Sequence, residues 1–435
     1  MKTYPLKVIG VILIAIIILL GIGMAMIKLP AKTAEKKIAD IEKYAESVEN
    51  FNIPEDAVIV GIGEATHGNV EFQMLKLTVL QKLVKEGKCR AIAFEMPAAG
   101  GATLNNCAHE KGSSAQNAVK GLSYALYCTK EMTELVEWIQ EYNMSVDAAG
   151  QINIYGIDMQ CATEDAKYVA DYIRNNFVGN FSKEEVSRIQ EVADWNLESD
   201  VTLEDRDREI FAHIQKVLEE NASSYENDYL FDQVLFNTKI LLESFDAPSF
   251  DENPNEYSDY RDQCMAKNVQ LVEEMEKNRG FSQVVLTGHN GHVMRGEAVS
   301  YGEIPLGQRL TDMYADKYFV IGTEFFHADV NIHTAGTFGD DYERKNHYFC
   351  SADPIAAQAK DMENGMFYLD FSKVTDTNSK LYELLHKEID MGIVGEGYSD
   401  GMMLSMSYRT RLVQAERFDA VIYVYRAMPI EPLGD

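Results

Sequence analysis

The chain has 435 residues, 46% of them apolar and 25% charged, which is enough to bury at least one large core and too much for a small disulfide-built scaffold. Forty Lys and Arg stand against 69 Asp and Glu, a formal net charge of -29 with no long basic stripe. That balance argues against wrapping nucleic acid, which needs a positive field to meet phosphates, and the apolar fraction argues against disorder or a collagen-like chain.

Residues 8–27 are 20 uncharged, mostly aliphatic positions, VIGVILIAIIILLGIGMAMI, with Lys2 and Lys7 before them and Lys28 after. This length can cross a hydrocarbon core as one helix and exceeds the usual signal core, and no A-x-A cleavage site follows. The expectation is a single-pass anchor with an extracytoplasmic catalytic domain; a cleaved signal and a secreted protein are the alternative. The short head before the span favours export of the large C-terminal part, although lysines on both flanks leave orientation open by charge count.

Residues 31–50 carry apolar positions compatible with a connecting amphipathic helix, which Pro54 ends. VIVGIG then reads as a strand and VEFQMLKLTVLQKLVKEG as a helix; AIAFEM, ELVEWIQEYN and INIYGID repeat that alternation. Such βα order predicts a mostly parallel sheet covered by helices. From about residue 166 to 280 the pattern turns helical, through KEEVSRIQEVADWNLES, REIFAHIQKVLEE and FDQVLFNTKILLESF. Strand character returns at QVVLTGHN, YFVIGTEF and DAVIYVYRAMP, GMFYLDFS reads as a small α+β element, and residues 331–341 and 395–401 read as loops or short hairpin turns.

The predicted fold is thus α/β, with a mostly parallel central sheet flanked by helices, a helical insertion, a small α+β element and an N-terminal transmembrane helix. The expected division is residues 1–37 as anchor or signal, 38–165 with 281–435 as a discontinuous catalytic domain, and 166–280 as a helical insertion domain. No Gly-x-Gly-x-x-Gly, P-loop, G-x-S-x-G, HExxH or CxxC pattern occurs. Cys107 and Cys128 could pair in an oxidising compartment; isolated buried thiols account for them equally well.

The chemical signal lies where predicted strands end. Glu64 and His67 stand in GIGEATHG, Glu95 follows AIAF, Asp158 follows IYGI, and His289 and His292 stand in LTGHNGHV. A carboxylate at the end of a central strand is costly to bury unless it faces a crevice or a partner, and the carboxyl edge of a parallel sheet is where open α/β folds place their ligands. Each residue taken singly also has a structural reading, as a helix cap, a loop acceptor or a packed core group. Together Glu64, His67, Glu95 and His289 form a candidate acid/base site.

These motifs resemble the erythromycin esterase family: GEATHG followed by EF and Lys76, FEMP with Glu95, RDQCMAKN from Arg261, GHNGHV from Gly288, PLGQRL from Pro305 and the terminal FDAVIYVYRAMP, spanning about residues 55–432. The resemblance implies hydrolysis of a carboxylic ester or macrolactone by His-activated water, with no metal or cofactor. It further implies His67 as general base supported by Glu64, Glu95 as the group that orients the basic centre, and His289 as oxyanion stabiliser or proton-transfer partner. His292, Lys76 and Asp158 are implied as substrate-binding or supporting groups. Lys76 stands where some family enzymes use Arg, keeping the charge but losing the guanidinium fork. The expected partners are a small ester or lactone and, through the N-terminal span, the membrane; nucleic acid is not expected. A metal-dependent hydrolase using the same His and Glu set, or a non-catalytic membrane-tethered ligand- or haem-binding module, remains the alternative.

Overall fold

The computed structural model describes residues 31–196, 199, 201–225, 228–297, 303–334 and 343–434. The expected membrane span at residues 8–27 lies outside the described residues; among those described, no helix is long and apolar enough to cross a membrane. The chain forms two compact units, the first made of residues 53–64, 72–321 and 430–435, and the second of the described part of residues 1–52 with 65–71 and 322–429.

The first unit is the parallel α/β layer read from the sequence. Its strands are β1 (Ile59–Glu64), β2 (Cys89–Pro97), β3 (Asn153–Asp158), β4 (Gln283–His289) and the opening residues of β5 (Tyr318–Thr334). They lie in the order β3-β2-β4-β1-β5, every pairing parallel. Every residue of β1, β3 and β4 is buried, which explains why these strands read as continuous apolar runs rather than as alternation. The connecting helices are α1 (Val70–Lys85), α2 (Ala98–His109), α3 (Ala115–Lys120) and α4 (Lys130–Ser145). Ser114 and Thr129 cap α3 and α4 by accepting from Asn117 and Met132 backbone N–H groups.

The helical run follows as α5 (Ala162–Asn176), α6 (Lys183–Ala193), α7 (Asp205–Asn221), α8 (Tyr229–Phe245) and α9 (Pro254–Asn278). Helices α5 to α8 share an apolar cluster that includes Val169, Ile173, Ile189, Phe211, Leu218, Phe231 and Leu241. The run belongs to the same compact unit as the parallel strands. After β4 come the short α10 (Asn290–Val293) and α11 (Leu306–Tyr314).

In the second unit β5 continues and pairs antiparallel with β6 (Arg344–Cys350). Beyond β5 the order runs to β11 (Ala420–Ala427) and β7 (Met366–Asp370), which pair antiparallel, so the GMFYLDFS strand finds its partner in the terminal FDAVIYVY run. A separate two-stranded element joins β8 (Ile389–Gly392) and β10 (Arg409–Leu412). The sheet architecture is therefore parallel in one unit and mixed in the other.

Three sequence expectations differ from the structure. Residues 331–334, expected as loop, are the last residues of β5; Asn331 stays in the ladder because its side chain donates to Asn346 and accepts from Arg344 on β6. Gly397–Tyr398, within the second expected loop, is a two-residue strand, β9, beside His333 and Thr334. The expected connecting helix over residues 31–50 is also not continuous: Ile41–Lys43 and Val48–Asn50 are three-residue 3-10 turns. Around these turns the backbone also bonds to the rest of its own unit, Ile38 N–H donating to the Gln358 side chain and Glu46 exchanging backbone bonds with Tyr368. All six cysteines carry free thiols, and the Cys128 Sγ faces the Leu122 and Tyr124 carbonyls.

Candidate active site

Four of the predicted residues end four neighbouring parallel strands. Glu64 closes β1 and is in register with His289, which closes β4; Glu95 lies near the end of β2, and Asp158 closes β3 beside Pro97. In a parallel sheet all carboxyl ends share one edge, so side chains more than two hundred positions apart meet there. Two glycines make the close approach. A Cβ on Gly63 would come within 2.2 Å of the Asn290 Oδ1, and one on Gly288 within 2.9 Å of the Glu95 Oε2.

Glu95 joins two strands and a helix. Its Oε2 accepts from the His289 backbone N–H at 2.7 Å, and its Oε1 accepts from Arg261 Nη2 at 2.8 Å. Arg261, on α9, also binds Asp158, with Nε 3.0 Å from Oδ1 and Nη2 2.6 Å from Oδ2. A planar guanidinium serves both carboxylates at once, which an ammonium at the same place would not do. Burial pulls the Arg261 pKa down, but Asp158 and then Glu95 outweigh it and hold the side chain charged, well above its ordinary value. Arg261 was not among the predicted site residues, although it opens the RDQC motif; on an amphipathic helix an Arg-Asp pair reads as surface charge.

Its neighbour Asp262 was missed for the same reason. Asp262 Oδ1 lies 2.7 Å from His292 Nδ1, and Oδ2 accepts the Leu306 backbone N–H at 2.8 Å. One carboxylate thus ties the RDQC, GHNGHV and PLGQRL motifs together. The other His292 nitrogen, Nε2, is 3.2 Å from Glu95 Oε1 and 3.1 Å from Arg261 Nη1. Burial works against a charged ring, yet Asp262 and Glu95 prevail over burial and over Arg261, and raise the His292 pKa to about 9. Both ring nitrogens are committed to this network, which favours the protonated ring.

His289 is arranged differently. Its side chain caps α10, with Nδ1 accepting the Gly291 backbone N–H at 3.3 Å. A neutral imidazole that accepts at Nδ1 carries its proton on Nε2, so Nε2–H is a donor.

Lys76, expected as a pocket or supporting cation, is buried. Its ammonium sits 2.7 Å from Glu64 Oε1 and 2.8 Å from Gln73 Oε1, between the rings of Phe94 and Tyr127. Its charge therefore serves Glu64. Tyr127 donates its hydroxyl proton to the Glu95 carbonyl, and burial together with Glu95, Glu64 and Asp158 keeps that phenol protonated.

The first unit thus brings together Glu64, Lys76, Glu95, Asp158, His289 and His292, with Arg261, Asp262 and Tyr127 added. His67 belongs to the segment 65–71 of the second unit, three residues after Glu64 in the chain, and is buried. In that segment Thr66 Oγ1 accepts from the Gly68 N–H and donates to Asn69 Oδ1, and Asn69 in turn bonds the Asp329 and Met428 carbonyls. The turn carrying His67 is thereby fixed by side-chain bonds on its own side. Among the described residues no group of three His, Cys, Asp or Glu is arranged as a metal site.

Known proteins share this arrangement of sequence and fold. The family model described as erythromycin esterase matches residues 84–427. A relative from Escherichia coli, erythromycin esterase type II, is 22% identical over 303 residues, covering 61% of this chain and 68% of that protein. A Bacillus cereus protein of known structure superposes with a TM-score of 0.69 at 19% identity, covering 93% of this chain and 99% of its own. A succinoglycan biosynthesis protein gives 0.67 at 16% identity over 92% and 98%. An erythromycin esterase with a His-to-Asn substitution, in its open conformation, gives 0.59 at 16% identity over 87% and 92%. With the family model covering most of the chain, the protein belongs to the erythromycin esterase family and is a carboxylic ester hydrolase of that type.

Proposed function

We propose that the chain hydrolyses a macrolactone or similarly bulky carboxylic ester by direct attack of water, without a metal. The observation that carries this reading is the alignment of Glu64, Glu95, Asp158 and His289 at the carboxyl ends of four adjacent strands in a chain of this family. His67 takes the proton of the attacking water, and Glu64, its charge held in place by Lys76, supports the imidazolium that forms. The His289 Nε2–H donates to the oxyanion of the tetrahedral intermediate. Collapse of that intermediate expels the alkoxide, which leaves as the alcohol after receiving the proton that His67 carries. Glu95 positions His289 through its backbone N–H, while Arg261, Asp158, Asp262 and His292 hold Glu95 in place.

We further infer that residues 8–27 anchor the protein in the membrane as a single span with the hydrolase outside the cytoplasm. An enzyme so placed meets esters arriving from outside, or esters of the envelope itself, before they enter the cell. Resistance to a macrolide antibiotic is the corresponding physiological reading, supported by the name of the Escherichia coli relative.

The hydrolytic reading is tested with the full chain in detergent, incubated with a mass-resolved panel of macrolactones and simple esters with and without chelator. A product heavier by one water, formed equally with chelator and lost in His67→Ala, is expected. Chelator-sensitive turnover restored by a metal would overturn the metal-free reading, and turnover confined to simple esters would overturn the macrolactone assignment.

A further inference from the structure

A second concavity lies in the first unit at the opposite end of β3 from Asp158. It has a volume of about 710 Å3, within the range of small-molecule sites. The start of β3, the start of α8 and the end of α9 contribute to its walls. Helix α9 supplies Arg261 and Asp262 to the candidate active site and Met275 to this cavity, with Arg279 just past its end; Met275 stands thirteen helical steps after Asp262, a rise of roughly 20 Å. The two sites are therefore distinct.

The positive groups in the wall are already spent. Arg279 donates from Nη1 to Glu276 Oε2 at 2.6 Å and from Nη2 to the Gln151 carbonyl at 2.6 Å. The other Glu276 oxygen accepts from Tyr155 and Asn153. His109 is wedged between the Gln151 and Asn153 side chains, and burial lowers its pKa, which favours a neutral ring.

What remains uncommitted is acceptor. Among the described residues the Asp232 carboxylate accepts no hydrogen bond and forms no ion pair, although the residue lines the cavity. Burial and the neighbouring Asp228 push its carboxyl up to about 6 against the pull of Arg279, yet the residue is exposed by area. A carboxylate that faces into a concavity combines those two properties. Gln233 is 2% exposed and also lines the cavity; its Nε2 donates to the Ile154 carbonyl, which fixes the carboxamide and leaves Oε1 with no donor among the described residues. Beside these acceptors stand two aromatic rings, Tyr229 stacked on His109 at 4.2 Å and Tyr225 stacked on Phe231 at 4.6 Å.

We propose that this cavity is a second ligand site, for a protonated amine of small-molecule size whose ammonium group pairs with Asp232 and whose apolar body packs on Tyr225, Tyr229 and Met275. Carboxylate and aromatic faces favour a cation together, and a neutral polyol offers no charge to pair with Asp232. The proposal is independent of the ester chemistry.

Benzylamine, benzyl alcohol and methyl glucoside are the probes, titrated calorimetrically at neutral pH into the full chain in detergent. Benzylamine is expected to bind at least tenfold more tightly than benzyl alcohol or methyl glucoside. Asp232→Asn is expected to weaken benzylamine tenfold or more while melting as the wild type does, and Asp232→Glu to retain binding. Failure of benzylamine to bind at millimolar concentration, equal binding of either neutral probe, or wild-type affinity in Asp232→Asn would each overturn the assignment.

Discussion

The Glu95 carboxylate links Arg261 and His289: one oxygen takes a guanidinium N–H at 2.8 Å and the other takes the His289 backbone N–H at 2.7 Å. A side chain from the helical run and the backbone of the histidine that closes β4 are thus held by the two oxygens of one group. Neutralising it as Glu95→Gln keeps the shape but replaces one acceptor with a donor facing another donor. The expected result is a fall in kcat/KM of tenfold or more, about 1.4 kcal/mol or above, carried mainly by kcat. Steady-state kinetics on a turned-over ester checks it; an unchanged kcat would remove Glu95 from the site.

Arg261→Lys separates charge from geometry. The variant keeps one positive charge among Glu95, Asp158 and Asp262 but cannot bridge the first two with a planar fork. Activity should fall at least as far as in Glu95→Gln, and the double variant should fall by less than the product of the two single losses, because both act on one network. Multiplicative losses in the double-mutant cycle would contradict the linkage.

The buried pair of Lys76 and Glu64 predicts a strong stability effect. Lys76→Met leaves a buried carboxylate without its cation, at a cost of about 3–5 kcal/mol. Chemical denaturation reads the loss. Adding Glu64→Gln to Lys76→Met should recover part of that stability without restoring turnover.

His292 predicts a pH dependence of folding. Its pKa is raised to about 9 in the folded protein, above the ordinary value of 6.5. Its contribution is therefore complete below about pH 6.5 and is lost as pH rises toward 9, amounting to roughly 3 kcal/mol over the window. Asp262→Asn should flatten the unfolding free energy between those limits. A wild-type stability that rises across the same window, with Asp262→Asn unchanged, would contradict the assignment.

The strand-end residues were legible because each closes a buried apolar run, and a polar group at the end of such a run has few structural uses. Glu64, Glu95, Asp158 and His289 were found in that way. Arg261 and Asp262 were not, since helical periodicity gives no sign that a charged pair faces Glu95, Asp158 and His292, thirty or more positions away in one direction or the other. Lys76 was read as a pocket or supporting cation; that its partner is Glu64, twelve residues upstream, was not legible, because periodicity does not describe the turn between them. The end of β5 was hidden by Asn331, a turn-favouring residue whose side-chain bonds to β6 keep it in the strand. The cavity beside Asp232 left no sequence signal, because its lining comes from segments spread between His109 and Arg279.

The central claim is that His67 supplies the base for water, and chemical rescue tests it most directly. His67→Ala, assayed on an ester the wild type turns over, should lose about 10²–10⁴-fold in kcat. Added imidazole should restore part of the rate in proportion to its free-base fraction. A His67→Ala enzyme within tenfold of wild type, or a profound loss that imidazole fails to relieve in a folded variant, would contradict the account.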